Sequence, residues 1–176
     1  MSIIKLNLKP AVEMRSQAMG LLINPGDGVL VKRGQPRWLL LKCPCGCGDE
    51  IPINLDARAG KAWRVYEGPR QQITIYPSVW RDTGCESHFI LWRNQIDLFG
   101  RYGDEEIASE RLNLESISIQ ALSYLSSKGS AHFADVADAI GEIPWDVLDA
   151  CRFLARRGKL IEASGQSRGT FSVPRI

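Results

Sequence analysis

Four cysteines and one histidine, grouped in two short clusters, are the side chains of this sequence best suited to chemistry. Cys43, Cys45 and Cys47 stand two positions apart, and Cys85 and His88 follow about forty positions later. Thiolate sulfur and imidazole nitrogen are the ligands that Zn²⁺ prefers in a tetrahedral site. Buried structural thiols would be scattered rather than clustered. The spacing therefore predicts a bound metal, with Zn²⁺ as the expected cofactor and an iron–sulfur cluster as the alternative.

Zinc takes four ligands, so five candidates leave more than one arrangement open. If Cys45, Cys47, Cys85 and His88 bind, Cys43 is spare and the site is structural. If the four cysteines bind, His88 lies beside the ion without touching it. The glycines that follow Cys45 and Cys47 let the backbone curl around an ion in either case. A closed structural site is favoured over a catalytic one.

A histidine that lies beside a metal could serve as a general base near neutral pH. Ser78 and Ser87 are then the candidate nucleophiles, so the candidate catalytic residues are Ser78, Ser87 and His88. Because Ser87 adjoins His88, and neighbouring residues of a strand point to opposite faces, Ser78 is the better geometric candidate. A further arrangement has three protein ligands and an activated water, with Glu86 or Asp49 as the base.

Short strands are predicted on both sides of each cluster. Apolar residues at 29–31 and 38–41 flank a glycine- and proline-containing turn, as expected of a β-hairpin, and 89–92 with 96–99 predict another hairpin. The alternation of apolar and polar residues at 51–55 indicates a strand with one buried face. Residues 20–99 are therefore predicted to form six or more short strands in an antiparallel meander, with the two clusters at turns.

The period of the apolar residues changes from two to that of a helix after residue 115. Three helical segments followed by a glycine-bounded hairpin predict a winged helix-turn-helix pattern. Residues 115–176 contain seven Lys or Arg and seven Asp or Glu. A neutral module lacks the basic surface that phosphate contacts need, so protein docking is favoured over nucleic acid as the role of this region.

The motifs together resemble a known family. Cys-Pro-Cys-Gly-Cys-Gly at 43–48, Pro-Ser-Val-Trp at 77–80 and Gly-Cys-Glu-Ser-His-Phe at 84–89 are similar to the bacterial domain-of-unknown-function family 6527 over roughly residues 28–99. The resemblance implies a place in ubiquitin-like conjugation systems linked to phage defence. It further implies a peptidase that acts on the ubiquitin-like modifier, with that modifier or its conjugation enzymes as partners.

Charge and hydropathy exclude other classes of protein. The chain of 176 residues carries 22 Lys and Arg against 20 Asp and Glu, a net charge of +2, so no strong field favours nucleic acid or an anionic membrane. No apolar run approaches the ~20 residues that span a bilayer. The first residues lack the apolar core and cleavage site of a signal peptide. A cytoplasmic protein is expected, and in that compartment clustered cysteines bind metals more often than they form disulfides.

The sequence thus predicts an α+β protein with two domains. Residues 1–100 form a zinc-binding antiparallel β domain, 101–114 a linker and 115–176 a small winged-helix-like domain. The leading functional hypothesis is a peptidase or deconjugase of a bacterial ubiquitin-like modification pathway. The alternative is a non-enzymatic, zinc-stabilised adaptor or DNA-binding regulator that uses the winged-helix region.

Overall fold

The protein, seen in a computed structural model, is described here for residues 4–98 and 114–174. The chain divides into two compact units between residues 107 and 108. The predicted linker at 101–114 lies outside the described residues except for Leu114, which begins the first helix. The predicted domain ranges 1–100 and 115–176 stay predictions.

Ten strands lie in the described part of the first unit. They are β1 Ile4–Lys5, β2 Asn7–Leu8, β3 Asp27–Arg33, β4 Gln35–Lys42, β5 Glu50–Asn54, β6 Arg64–Gly68, β7 Gln72–Tyr76, β8 Val79–Trp80, β9 His88–Trp92 and β10 Gln95–Leu98. Short 3₁₀ helices lie at Arg15–Ala18, Ala57–Ala59 and Pro69–Gln71. The strands form three sheets, in the orders β1-β10-β9-β8, β2-β3-β4-β5 and β6-β7.

Antiparallel pairing dominates, as expected, but the predicted single meander over 20–99 is wrong in two respects. The strands separate into three sheets, and β1 and β2, which precede residue 20, join two of them. The pairing of β2 with β3 is parallel. Apolar alternation shows which residues form strands, whereas the choice of neighbours depends on contacts that are distant in the sequence.

Alternation along β9 decides which side chains are buried and which face outward. Phe89 and Leu91 are fully buried, and they share one hydrophobic core with Leu39 and Leu41 of β4. The core therefore joins strands of two different sheets. Because successive residues of a strand point to opposite faces, burial of Phe89 turns His88 to the other face, where it is half-buried.

Asp27, the first residue of β3, holds the N-terminal strands in place. Its side chain is 1% exposed and accepts hydrogen bonds from Asn7 Nδ2 at 2.7 Å and from the backbone N–H groups of Ile23 and Asn24. Lys9 Nζ lies 3.0 Å from Asp27 Oδ1, the oxygen that also accepts from Asn7. Burial by itself would raise the pKa of this carboxyl, but these partners together lower the pKa to about 2.

We expect Asp27→Ala to lower the free energy of unfolding by about 3 kcal/mol at pH 7, because it leaves buried donors unpaired. The folded pKa lies below the unfolded value of about 3.9, so the stabilisation is present above about pH 4 and is lost as the pH falls toward 2. Urea unfolding from pH 7 to pH 2 measures both effects. Glu67→Ala, which removes a surface ion pair with Lys32, is the matched control and should cost less than about 1 kcal/mol. A loss of that small size for Asp27→Ala would contradict the prediction.

Three helices and three strands form the described part of the second unit. They are α1 Leu114–Lys128, β11 Ser130–His132, α2 Phe133–Ile140, α3 Pro144–Arg156, β12 Ile161–Glu162 and β13 Thr170–Ser172, with a 3₁₀ helix at Gly165–Ser167. The strands form an antiparallel sheet in the order β11-β13-β12. Leu125, Val136, Val147 and Phe171 are fully buried within this unit.

The predicted helices and terminal hairpin of this unit are present, and the chain is mixed α+β. The assignment to the winged-helix class stays a prediction. Pro144 stands in the first turn of α3 and the left-handed Gly141 caps α2, as their residue types favour. Among the described residues, no helix combines the length and apolar character that crossing a membrane requires.

Candidate metal centre and serine–histidine pair

The loop that joins β4 to β5 presents three cysteines to one point. It begins at Cys43, whose backbone N–H donates to Asp49 O at 2.8 Å, and Gly46 N–H donates to Cys43 O at 3.2 Å. Gly46 and Gly48 have φ angles of +87° and +90°, which residues with a Cβ rarely adopt. The two glycines let the backbone turn back on itself, as the sequence predicted, so that alternate side chains reach the inside of the loop.

The loop that joins β8 to β9 supplies a fourth sulfur. The Sγ atoms of Cys43, Cys45, Cys47 and Cys85 all lie within 4.8 Å of one another. Cys43 Sγ is 3.3 Å from Cys45 Sγ and 3.6 Å from Cys85 Sγ, too far apart for a disulfide. A tetrahedral ion with bonds of about 2.3 Å to sulfur needs sulfurs about 3.8 Å apart. The four thiols therefore fit a zinc ion.

The four thiols differ in how readily they lose a proton. Hydrogen bonds with the side chain and backbone of Ser87 lower the pKa of Cys85 to about 6. Arg81 Nη1 also donates to Cys85 Sγ at 3.3 Å. Burial, together with the neighbouring Cys43, raises the pKa of Cys45 to about 12. The protein thus favours one thiolate but opposes a second, and a bound dication would supply the charge that lets the remaining thiols ionise.

Ser87, one of the two candidate nucleophiles, faces the sulfurs. Its Oγ lies 3.4 Å from Cys43 Sγ and 3.4 Å from Cys85 Sγ, and the residue is 7% exposed. A hydroxyl at this distance hydrogen-bonds to thiolates and orients them, as groups surrounding metal ligands commonly do. The structure therefore places Ser87 in the surroundings of the candidate metal site.

His88, the residue after Ser87, contacts Ser78. His88 Nε2 lies 3.0 Å from Ser78 Oγ, within hydrogen-bonding distance. The group of candidate ligand atoms consists of four cysteine sulfurs and does not include a ring nitrogen of His88. Burial lowers the pKa of the imidazole below its ordinary value, which favours the neutral form at neutral pH. Of the arrangements left open by the sequence, the structure brings together the four cysteine sulfurs as one group and Ser78 with His88 as another, and His88 lines the same cavity as Cys45, Cys47 and Cys85.

Ser78 is held at the junction of two strands. It follows the end of β7 at Tyr76 and directly precedes β8. The indole Nε1–H of Trp63 donates to Ser78 O at 3.2 Å. The backbone of Ser78 is thereby fixed while its half-buried side chain faces His88. A hydroxyl and a neutral imidazole in this arrangement match the nucleophile and base of acyl-transfer enzymes.

The two carboxylates proposed as alternative bases are arranged differently. Asp49 Oδ2 accepts a hydrogen bond from Arg81 Nη1 at 2.8 Å, and this interaction lowers the pKa of Asp49. A lower pKa makes the carboxylate a weaker base. Glu86 is exposed and has a φ angle of +50°. The ion pair with Arg81 therefore disfavours Asp49 as the base of an arrangement with a metal-bound water.

The sequence did not predict the structural roles of two residues near the site. Arg81 contacts Cys85 within the β8–β9 loop and links that loop to the β4–β5 loop through Asp49. Trp63 anchors Ser78 from fifteen positions away. An arginine in a loop and a tryptophan beside a strand carry no local pattern that distinguishes them from surface and core residues. Only the folded arrangement identifies them.

Comparison with known proteins supports one family over part of the chain. Residues 13–99 match the model of a family described as the bacterial ubiquitination-like system serine protease, BubE. The matched segment contains all four clustered cysteines, Ser78 and His88. The expected similarity to a family of bacterial ubiquitin-like systems is confirmed at that level. No curated protein and no solved structure matches the chain.

Proposed function

We propose that the chain is a serine peptidase of a bacterial ubiquitination-like system, with Ser78 as the nucleophile and His88 as the general base. The observation that carries the proposal is the 3.0 Å contact between Ser78 Oγ and His88 Nε2. This contact lies within the segment similar to a serine protease family. The proposed substrate is the ubiquitin-like modifier, either as a precursor or joined to a target protein.

Ser78 is the better nucleophile of the two candidates because of what each hydroxyl contacts. Ser87 Oγ is directed toward Cys43 and Cys85, with 7% of the residue exposed, so a substrate carbonyl cannot approach it. Ser78 is half-buried and adjoins the base. A nucleophile needs both a base within hydrogen-bonding distance and access to substrate, and only Ser78 combines them.

The proposed reaction has two acyl-transfer steps. In the first, Ser78 Oγ attacks the scissile carbonyl while His88 Nε2 takes the hydroxyl proton. His88 then gives this proton to the leaving amine, the carbon–nitrogen bond breaks, and an ester to Ser78 remains. In the second step a water molecule attacks the ester while His88 takes its proton. Return of that proton to Ser78 Oγ releases the carboxylic acid product.

The metal site would support this chemistry by holding two loops together. Cys43, Cys45, Cys47 and Cys85 would hold Zn²⁺ through four thiolates, which leaves no open position for a water or substrate. The ion would connect the β4–β5 loop to the β8–β9 loop, and His88 begins β9 three residues after Cys85. A fixed Cys85 thereby fixes the start of the strand that carries the base.

A fluorophosphonate probe tests the proposal without knowledge of the substrate, because such probes react with activated serines. The expected result is one modified residue per chain, identified as Ser78 by mass spectrometry of peptides. His88→Ala should slow the reaction by at least about 100-fold, in the range that general-base catalysis contributes. Modification of Ser87 instead, or of no serine at all, would contradict the proposed function.

The same reaction should depend on pH through His88. Protonated imidazole cannot accept the Ser78 proton, so the rate falls as the pH drops through the pKa of His88. Because burial holds this pKa below 6.5, the rate should be nearly constant from pH 8 to pH 7 and should fall only at more acidic pH. The rate of probe labelling across pH 5–8 measures the profile. A midpoint above pH 7 would contradict the assignment of His88 as this base.

A further inference from the structure

The strand next to Ser78 lies at the edge of its sheet. Among the described residues, β8 pairs with β9 on one side and with no strand on the other. The register places Val79 opposite Phe89 and Trp80 opposite His88. An edge strand carries backbone groups that can pair with an added chain, and many peptide-binding proteins use such edges.

The register shows which backbone groups of β8 face outward. Arg81 N–H donates to Ser87 O at 3.0 Å, so the opposed residues 81 and 87 form a hydrogen-bonded pair. In an antiparallel ladder such pairs alternate with pairs that exchange no hydrogen bonds. Trp80 and His88 therefore form a pair that exchanges no hydrogen bonds. The N–H and C=O of Trp80 therefore point away from β9, toward the open edge of the sheet.

The side chain of Trp80 lies beside the proposed catalytic pair. Opposed residues of an antiparallel ladder share a face, so the indole and the His88 imidazole lie on the same side of the sheet, with ring centroids 6.1 Å apart. Trp80 is 71% exposed, although indole is a large and mostly apolar group. An exposed indole beside a nucleophile and its base offers an apolar surface to a substrate side chain.

We propose that the peptide substrate binds as an added extended strand along the open edge of β8, with the backbone of one substrate residue paired to the N–H and C=O of Trp80. This inference rests on the proposed function and names the form of its substrate. The substrate segment must expose its own backbone, so it is an extended tail or linker rather than a strand or helix of a folded domain. Its paired residue carries an apolar side chain that packs on the indole.

The spacing places the paired residue relative to the scissile bond. Ser78 and Trp80 are two positions apart, and a strand rises about 3.3 Å per residue, so their backbones are about 7 Å apart. The residue that pairs with Trp80 therefore lies about two positions from the scissile bond. One and the same substrate residue must therefore have a backbone N–H that is free to donate and an apolar side chain.

The test uses a mixture of random decapeptides, with cleavage sites read by mass spectrometry. The full chain should cut extended peptides and prefer an apolar residue about two positions from the cut. The best substrate is then remade with one N-methyl group at each position in turn. Methylation of the one N–H that pairs with Trp80 should lower kcat/KM at least tenfold, and methylation three or more positions farther along should change it less than about threefold.

A second experiment tests the contribution of the indole by substitution. Trp80→Ala should lower kcat/KM at least tenfold and remove the preference for an apolar residue at the paired position. Ile23→Ala is the matched control, because Ile23 is 70% exposed and lies in a different loop of the same unit. It should leave both the rate and the preference unchanged.

Each contrary outcome identifies what has failed. If the probe labels Ser78 but no decapeptide is cut, or no N-methyl group outside the scissile amide matters, docking along β8 is wrong while the proposed function stands. Unchanged preference in Trp80→Ala likewise overturns the docking. If the probe labels no serine and no peptide is cut, the proposed function is wrong and the docking falls with it.

Discussion

Ser78→Ala should lower kcat/KM for cleavage of a C-terminal fusion of the ubiquitin-like modifier by at least about 10⁴-fold, with no change in the stability of the fold. Loss of a nucleophile commonly costs this much or more, because the covalent route is closed and only positioning of the substrate remains. The residue is half-buried, and its hydroxyl contacts His88 rather than the thiols that would hold the metal. Kinetics on purified protein, with thermal unfolding of the same sample, measures both parts.

Two other serines serve as controls for this result. Ser16→Ala changes an exposed residue of a short 3₁₀ helix in the same unit and should leave the rate unchanged. Ser87→Ala should retain cleavage within about tenfold, because its hydroxyl contacts the thiols rather than the base. Equal loss of activity in Ser78→Ala and Ser87→Ala, with both proteins folded, would contradict the assignment of the nucleophile.

Removal of the metal should unfold much of the first unit. The four thiols come from loops of two different sheets, and structural zinc in small domains supplies folding free energy directly. Cys43→Ser, which alters a fully buried ligand, should lower the free energy of unfolding by more than about 5 kcal/mol. We expect one zinc per chain by elemental analysis, and a transition temperature that falls by more than about 15 °C when a chelator is added.

Cys151→Ser is the matched control for this experiment. Cys151 is also fully buried, but it lies on α3 in the second unit, away from the cluster. Its substitution should cost about 1–2 kcal/mol through burial of a hydroxyl while leaving the zinc content at one per chain. If the protein contains no metal and melts at the same temperature with and without chelator, the cysteine cluster is not a metal site.

The candidate site could be predicted from the sequence where short-range geometry decides it. The two-residue spacing of Cys43, Cys45 and Cys47, with glycines at the turns, was enough to predict a loop closed around one point. Because neighbouring residues of a strand point to opposite faces, Ser87 was not expected to face His88, and Ser78 was favoured as the partner of the histidine. The structure places Ser87 toward the sulfurs and Ser78 at 3.0 Å from His88.

Long-range relations could not be predicted. The choice between His88 and Cys43 as a ligand depends on how two loops meet, and no spacing within either loop contains that information. The parallel pairing of β2 with β3 and the pairing of β1 with β10 likewise join residues far apart in sequence. The helices and hairpin of the second unit follow local signals such as Pro144 and Gly141, which identify the elements but not the class of fold or its partner.

The central claim is a division of roles: four sulfurs bind the metal, and His88 serves Ser78. X-ray absorption at the zinc edge of the purified protein tests it most directly. The account predicts four sulfur neighbours at about 2.3 Å and no nitrogen neighbour. A nitrogen neighbour at about 2.0–2.1 Å that disappears in His88→Ala would place the imidazole on the ion and contradict the account.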